Sequence, residues 1–409
     1  MADFYQTGGV TTLHRLSPNG LARLESELER FSRDVPIGLV LPALYTEFEN
    51  PAMRRIVDEL AKVRYLRHIV VVLGHANYDQ YLATREFFRD FPNPVTILWM
   101  ESERVQGLMR ILDERGLATG MDGKGRSCWL AYGYLLATGD CDVIALHDCD
   151  IQNYDRRLLA RLVYPVANPN LGFEFCKGYY ARVSDRMHGR VTRLFVTPLI
   201  RAMQCMAPNA PFLDFVDSFR YSLAGEFAMK AHLARVNRIP GDWGLEVGVL
   251  AEVFRNCAPA RICQVDLTDN YEHKHQELSA DDASKGLRRM TVDIAKSLFR
   301  TMAGEGLVLT KDHFRSLEVR YVRIAEDTIN RYYADAMLNG LAFDRHAEEL
   351  AVATFARSLR QAAEEFTVDP LGMPQIPNWN RVISAVPEFF DMLLGAVEEE
   401  ARHAGTFAA

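Results

Sequence analysis

The chain has no Cys-x-x-Cys pair, and its seven cysteines are scattered and odd in number. That argues against a disulfide framework or a structural zinc and points to free thiols in a reducing compartment. No apolar run approaches the ~18 residues needed to cross a bilayer, so no membrane span is expected. The opening stretch MADFYQTGGVTT is polar and offers no apolar signal core, so the expected location is cytoplasmic. Positive charge is also short: Lys and Arg number 47 against 54 Asp and Glu, a net charge of −7. A general nucleic-acid binder must offset phosphate charge, so no nucleic-acid partner is expected. There is no internal repeat, no low-complexity tract and no GxxxxGK[ST] phosphate loop.

What is present is the make-up of an ordinary globular protein, 48% hydrophobic and 25% charged. A chain of 409 residues is long for one core, which predicts a main domain with additions. Residues 1–35 read as an N-terminal extension with a helix near 20–31. Short apolar runs follow at 37–41, 68–73, 95–100 and 142–146, with helical patterns at 54–65, 78–91 and 127–137 between them. This alternation predicts an α/β domain over 36–280, built on a parallel sheet with helices on both faces. Residues 171–183 suit a strand pair or a strand and loop, and 193–206 a helix. From 281 to 409 the pattern is strongly helical, at 282–303, 312–338, 346–366 and 382–403. No catalytic constellation stands out there. A helical cap or an oligomerisation element is expected, and a homodimer with it.

The chemistry concentrates in HDCDIQ at 147–152. Asp148 and Asp150 follow directly on the apolar run at 142–146, which reads as a buried strand ending in two carboxylates. Magnesium is typically held by one or two carboxylates plus substrate phosphates. A phosphatase with an aspartate nucleophile is the other reading of two such acids. It usually wants Thr or Val two residues after the second acid, and here Ile151 and Gln152 follow. Ligands of parallel sheets bind beyond the carboxyl ends of the strands. Tyr45, the segment 74–77 and Asp148-Cys149-Asp150 all fall at such ends and are expected to converge on one crevice. The nucleotide-sugars are the expected diphosphate class.

Eight short motifs stand in one order: LPAL at 41–44, GKGRS at 123–127, HDCD at 147–150, KGYYARV at 177–183, GRVTRL at 189–194, LAGE at 223–226, GDWGLEVGVL at 241–250 and YEHKH at 271–275. The series resembles the retaining glucosyl-3-phosphoglycerate synthases, over roughly residues 37–276. The resemblance implies a GT-A fold, a Rossmann-like nucleotide-diphospho-sugar transferase domain, here with a helical C-terminal extension. It implies transfer of glucose from a nucleoside-diphosphate donor to the 2-hydroxyl of 3-phosphoglycerate, with retention at the anomeric carbon. It also implies a Mg²⁺ cofactor, for which Mn²⁺ or Co²⁺ can substitute.

By the same resemblance, Asp150 and His273 hold the metal, and Asp148 with Cys149 faces the ribose and donor. Pro42, Leu44, Tyr45 and Glu47 flank the base and ribose. Lys124 contacts the donor, with the backbone of Leu223, Ala224 and Gly225 beside the sugar. Glu246 faces the sugar hydroxyls or the acceptor, and Trp243 would floor the sugar. Gly189, Arg190, Val191 and Thr192 form the acceptor site, with His275 adding to its anion grip. Asp150, Lys124 and Glu246 are the catalytic candidates. Two segments depart from the family pattern: Leu73-Gly74-His75-Ala76 lacks an expected acid, and the metal loop has Lys274-His275-Gln276 in place of an arginine-containing end. They keep open the same fold with another hexose donor such as GDP-mannose, or with a different glycerate-type acceptor. A catalytically silent sugar-nucleotide-binding protein is the reading from another class.

Overall fold

A computed structural model of the chain describes residues 6, 8–17, 19–240, 244–272, 286–372 and 375–406. The strands are β1 (Thr11–Leu13), β2 (Ile37–Leu44), β3 (Leu66–Gly74), β4 (Val95–Trp99), β5 (Val143–Leu146), β6 (Phe175–Tyr180), β7 (Phe227–Lys230) and β8 (Ile262–Thr268). They form one sheet in the order β1-β8-β6-β7-β5-β2-β3-β4. The four apolar runs became β2 to β5; those of β2, β3 and β5 are buried on both faces and need no polar alternation, while β4 is a half-buried edge strand. Side chains alternate across the sheet accordingly. Ile37, Leu39, Leu41, Ile69, Val71, Val143 and Ala145 join the core on one face, and Val40, Val70, Val72, Ile144 and Leu146 that on the other.

The sheet expected to be parallel is parallel in most of its pairs and mixed in one place. Strand β7 runs antiparallel to both β5 and β6. Its apolar stretch is only Phe227-Ala228-Met229, too short to show as a run. Strand β8 escaped notice because polar Gln264 interrupts it. That side chain is buried and donates to Thr12 Oγ1 at 2.9 Å and the Ser218 carbonyl at 2.8 Å. Strand β1 pairs with β8, so residues 11–13 form an edge of the sheet. Strand β2 runs three residues past its expected end. Beyond Val40 it has no partner on the β5 side, where a proline without an N–H is tolerated at Pro42.

The helices up to residue 256 are α1 (Leu21–Phe31), α2 (Pro51–Leu60), α3 (Tyr78–Phe87), α4 (Glu103–Glu114), α5 (Lys124–Thr138), α6 (Arg157–Ala167), α7 (Thr197–Met206), α8 (Pro211–Asp217), α9 (Ala231–Val236) and α10 (Leu245–Asn256). Local chemistry sets their starts. Asn50 caps α2 with Pro51 following, and Asn77 with Gln80 forms a capping box on α3. Helix α4 is unforeseen from the sequence, its pattern diluted by Gly107 and by charges. A π turn at Val191–Val196 runs directly into α7, so the expected helix starts two residues early.

Then come α11 (Gly286–Gly304), α12 (Lys311–Leu338), α13 (Arg345–Val368), α14 (Trp379–Ala385) and α15 (Phe389–Thr406). The single helix expected at 382–403 is two, because Pro387 stops α14. No described helix is long and apolar enough to cross a membrane. Helices α1, α2 and α6 cover one face of the sheet. On the other face α4 and α5 share one continuous core with α7 to α15. Its tightest joint is the Trp129 and Trp379 pair, stacked with centroids 4.1 Å apart and 14° between planes. Trp129 Nε1 also donates to the Pro377 carbonyl at 2.8 Å.

Gly133 makes that joint possible: a Cβ there would meet Trp379 Cζ2 at 2.1 Å. Alanine would gain up to ~1 kcal/mol of helix propensity. Displacing a packed indole costs about 1–3 kcal/mol or more. Gly133→Ala is therefore expected to lower stability despite the better helix former, read as a lower urea midpoint with unchanged m-value. A midpoint at or above that of the unaltered chain would contradict this packing.

Candidate active site

The parallel strands β2, β3 and β5 end along one edge of the sheet, where Tyr45 and Glu47 follow β2 and Asp148 and Asp150 follow β5. At the end of β5, His147 is fully buried. Its Nδ1 lies 3.0 Å from the Asp148 carbonyl oxygen and its Nε2 3.2 Å from Tyr154 Oη. Burial pushes its pKa down to about 4, so the ring is neutral at pH 7. This buried pair fixes the turn that carries Asp148 and Asp150.

Lys124 opens α5, where a cation opposes the helix dipole, so it needs carboxylates. It has two: Nζ lies 2.6 Å from Asp148 Oδ1 and 3.3 Å from Glu246 Oε1. Burial works against its charge, but Asp148 and Glu246 outweigh it and hold the pKa well above the ordinary lysine value. Glu246 sits in the first turn of α10, where the dipole favours an anion. Asp150 is pushed up to about 7, first by burial, then by the charges of Asp148 and Glu47. Lys124 thus pairs with Asp148 and Glu246, while Asp148 and Glu47 repel the neighbouring Asp150.

The LAGE segment packs directly beneath. A Cβ on Gly225 would lie 2.6 Å from Asp148 Oδ2, so only glycine admits that carboxylate. Ala224 presents its carbonyl to Lys177, whose Nζ donates at 2.6 Å. Lys177 is wholly buried, and desolvation lowers its pKa to about 8. Glu226, also wholly buried, accepts from Tyr180 Oη at 2.8 Å and from Tyr271 Oη. Burial and then the Asp148 charge raise its pKa. The two tyrosine rings stack 3.8 Å apart at 6°.

That stack anchors the loop leading to His273. Tyr271 N donates to the Ala181 carbonyl at 2.9 Å, and Gln152 N to the Glu272 carbonyl at 2.7 Å. Glu272 N donates to Asn153 Oδ1 at 3.1 Å. The residue before His273 is therefore bonded to the residue two positions after Asp150. His273 itself, with His275 and Trp243, lies outside the described residues.

Leu44 is exposed at the end of β2, while Pro42, Tyr45 and Glu47 are half-buried beside it. The side chains of Cys149 and Val191 point into the core, leaving only their backbone for a ligand. Gly189 stands near Tyr221, whose ring is 5.1 Å from that of Tyr180, so GRVT adjoins LAGE through two aromatic rings. Arg190 is held by Glu348 of α13, Nε to Oε1 at 2.9 Å. Thr192 Oγ1 is buried and has no hydrogen-bond partner among the described residues.

Several residues here were not identified from the sequence as site residues. Lys177, Tyr180 and Tyr271 lie inside quoted motifs, and their burial is the signal that sequence lacks. Glu101 supplies an acid at the end of β4, where the segment 73–76 has none. Its carboxylate accepts from His75 N at 2.7 Å and Ala76 N at 3.4 Å. His75 has φ 53°, the one described non-glycine residue at positive φ. A ring nitrogen of His75 and one oxygen each of Glu101 and Asp122 fall within 4.8 Å of one another. Glu348 carries no local signal at all.

No protein-family model matches the sequence. The chain is 48% identical to the glucosyl-3-phosphoglycerate synthase of Persephonella marina, over 98% of this chain and 99% of that one. It is 40% identical to the enzyme of that name from Methanococcoides burtonii, over 96% and 97% of the two chains. Its fold is similar to the crystal structure of glucosyl-3-phosphoglycerate synthase from Mycobacterium tuberculosis in complex with Mg²⁺ and uridine diphosphate. The TM-score is 0.52 with 20% identity, covering 74% of this chain and 88% of that one. From the full-length identity to the first two relatives, the chain belongs to the glucosyl-3-phosphoglycerate synthase family.

Proposed function

We propose that the protein transfers glucose from UDP-glucose to the 2-hydroxyl of 3-phosphoglycerate, with retention and with a divalent cation. The observation that carries this reading is the Lys124–Asp148–Glu246 cluster beside Asp150, at the strand ends of a chain 48% identical to a synthase of that name. Mycobacterium tuberculosis glucosyl-3-phosphoglycerate synthase, which shares the fold, has been crystallised with Mn²⁺, UDP-glucose and phosphoglyceric acid, which supports the choice of substrates. All seven cysteines carry free thiols, which supports a reducing, cytoplasmic location.

The donor set fits a cation. Asp150 is pushed up to about 7 because burial and two neighbouring carboxylates disfavour its charge, and a cation relieves that repulsion. Asp150 and His273 would hold it. When bound, Mg²⁺ or Mn²⁺ supplies charge stabilisation for the departing diphosphate. The chain's own residues do the rest. Lys124 exchanges its carboxylate partners for a phosphate oxygen at the N-terminus of α5, where anions are favoured. Asp148 accepts from the ribose. Glu246 accepts from sugar hydroxyls, which discriminates epimers because a mismatched hydroxyl leaves a buried polar group unpaired. Arg190 and Thr192 take the acceptor's anionic end, with the guanidinium donating two parallel hydrogen bonds. The acceptor oxygen then bonds to the anomeric carbon on the face the diphosphate leaves, and the leaving phosphate oxygen takes the acceptor's proton. Positioning and electrostatics carry the acceleration.

The direct test is nucleotide release from UDP-glucose with Mg²⁺, with and without 3-phosphoglycerate. Release that depends on the acceptor, with a product one hexose heavier, is expected; silence with this pair overturns the reading. Asp150→Ala is expected to lower kcat by ~10³-fold or more, and near-normal turnover would count against Asp150 as a ligand. Proton and cation compete for that carboxylate. Since its pKa is about 7 without metal, Mn²⁺ should bind roughly tenfold more weakly at pH 6 than at pH 8. Calorimetry showing equal affinity at the two pH values would exclude that competition.

A further inference from the structure

The GRVTRL segment is gripped by the hairpin of α12 and α13 from the far end of the chain. Tyr321 Oη donates to the Leu194 carbonyl at 2.8 Å, inside the π turn. Ala342 N, between the two helices, donates to the Asp185 carbonyl at 2.8 Å, just ahead of the segment. Arg193 is buried, with its guanidinium 4.8 Å from the Tyr332 ring centroid. It donates to the His188 carbonyl at 2.9 Å and to Glu348 Oε2 at 2.8 Å. Arg193 is thereby committed to holding the segment in place.

Arg190 differs. Its side chain is 36% exposed, while that of Glu348 is 6% exposed. Glu348 Oε1 engages its Nε, and its Nη groups have no partner among the described residues. One carboxylate therefore faces two guanidinium groups, leaving surplus positive charge where the helix begins. The buried Thr192 Oγ1, with no partner among the described residues, stands in the same turn. A planar fork fixed through Nε presents its Nη edge in one direction, and that edge is what a carboxylate or phosphate reads.

We infer that Glu348 is a positioning residue for the acceptor: it orients Arg190 before the anion arrives, which makes the α12–α13 hairpin part of the acceptor site. This rests on the proposed role of Arg190 in binding 3-phosphoglycerate. Preorganisation lowers the ordering that binding itself must impose. Loss of the Glu348 contact therefore weakens acceptor binding without touching the donor, although it adds net positive charge.

The test compares Glu348→Gln with the unaltered protein, measuring KM for each substrate, and 3-phosphoglycerate affinity by calorimetry. The acceptor KM and Kd are expected to rise about ten- to hundredfold, with the UDP-glucose KM unchanged. Most of the effect should be lost in an Arg190→Gln background, leaving only what Glu348 contributes through its pair with Arg193. A tighter acceptor Kd in Glu348→Gln would show that Glu348 restrains Arg190, and would overturn the inference. So would an equal rise in both KM values, or an effect of undiminished size without Arg190. If Glu348→Gln does not fold, Glu348→Asp keeps the charge, shortens the reach by one methylene and is read in the same way. Failure of the unaltered protein to use 3-phosphoglycerate overturns the acceptor assignment on which this inference rests. Loss of the acceptor contact in a variant of an active protein bears on Glu348 alone.

Discussion

The site depends on one close approach, the Asp148 carboxylate lying against the backbone of Gly225. A Cβ at Gly225 would stand 2.6 Å from Asp148 Oδ2. That contact joins the end of β5 to the turn before β7, and only an antiparallel β7 delivers the turn to that end of the sheet. From there the remaining placements follow. Ala224 turns its carbonyl to Lys177, and Glu226 reaches the two tyrosines. Tyr271 draws the strand leaving β8 back toward Asp150. Lys124 closes the arrangement from the other face, neutralising Asp148 so that it can lie so near a backbone.

The buried charges beneath the site are a cost that its rigidity offsets. Glu226 and Lys177 are both fully enclosed, and a buried charge without hydrogen bonds would cost several kcal/mol. Each is satisfied by partners that belong to the site: two tyrosine hydroxyls for the acid, one carbonyl for the ammonium. Such a network resists rearrangement, because moving one member strands another. It therefore suits a mechanism in which positioning carries the acceleration. The crowded carboxylates above it, by contrast, leave repulsion that a cation relieves.

Much of this was legible in the sequence. The runs at 37–41, 68–73, 95–100 and 142–146 announced β2 to β5: those of β2, β3 and β5 are buried on both faces and need no polar alternation, and that of β4 is a half-buried edge strand. Asp148 and Asp150 could be placed at a strand end by the same reading, and the ordered motifs supplied Lys124, Glu246 and GRVT. What escaped was structure made by distant partners. The apolar stretch of β7 is three residues long, β8 hides a buried Gln264, and β1 exists only as a neighbour of β8. Lys177 and Glu226 lie inside quoted motifs, but their burial, which gives them their place in the site, is not visible in the sequence. Glu348 stands 158 residues from Arg190 and sits in a helix whose pattern is amphipathic in an ordinary way.

The C-terminal helices show why a helical pattern without motifs is a poor guide to a region's role. They occupy the same continuous core as α5, the helix that begins with Lys124. Trp379 stacks on Trp129 one turn and a half beyond that lysine, and the fit is close enough that Gly133 has no room for a methyl group. Glu348 and Tyr321 hold the GRVTRL segment from the other side. A π turn leaves backbone groups that the ordinary helical ladder would have satisfied, and the Tyr321 hydroxyl supplies a partner for one of them. The π turn and the hairpin that supports it thus form one unit. Removing helices α12 and α13 would take away the Glu348 contact to Arg190 and leave Arg193 buried without its carboxylate.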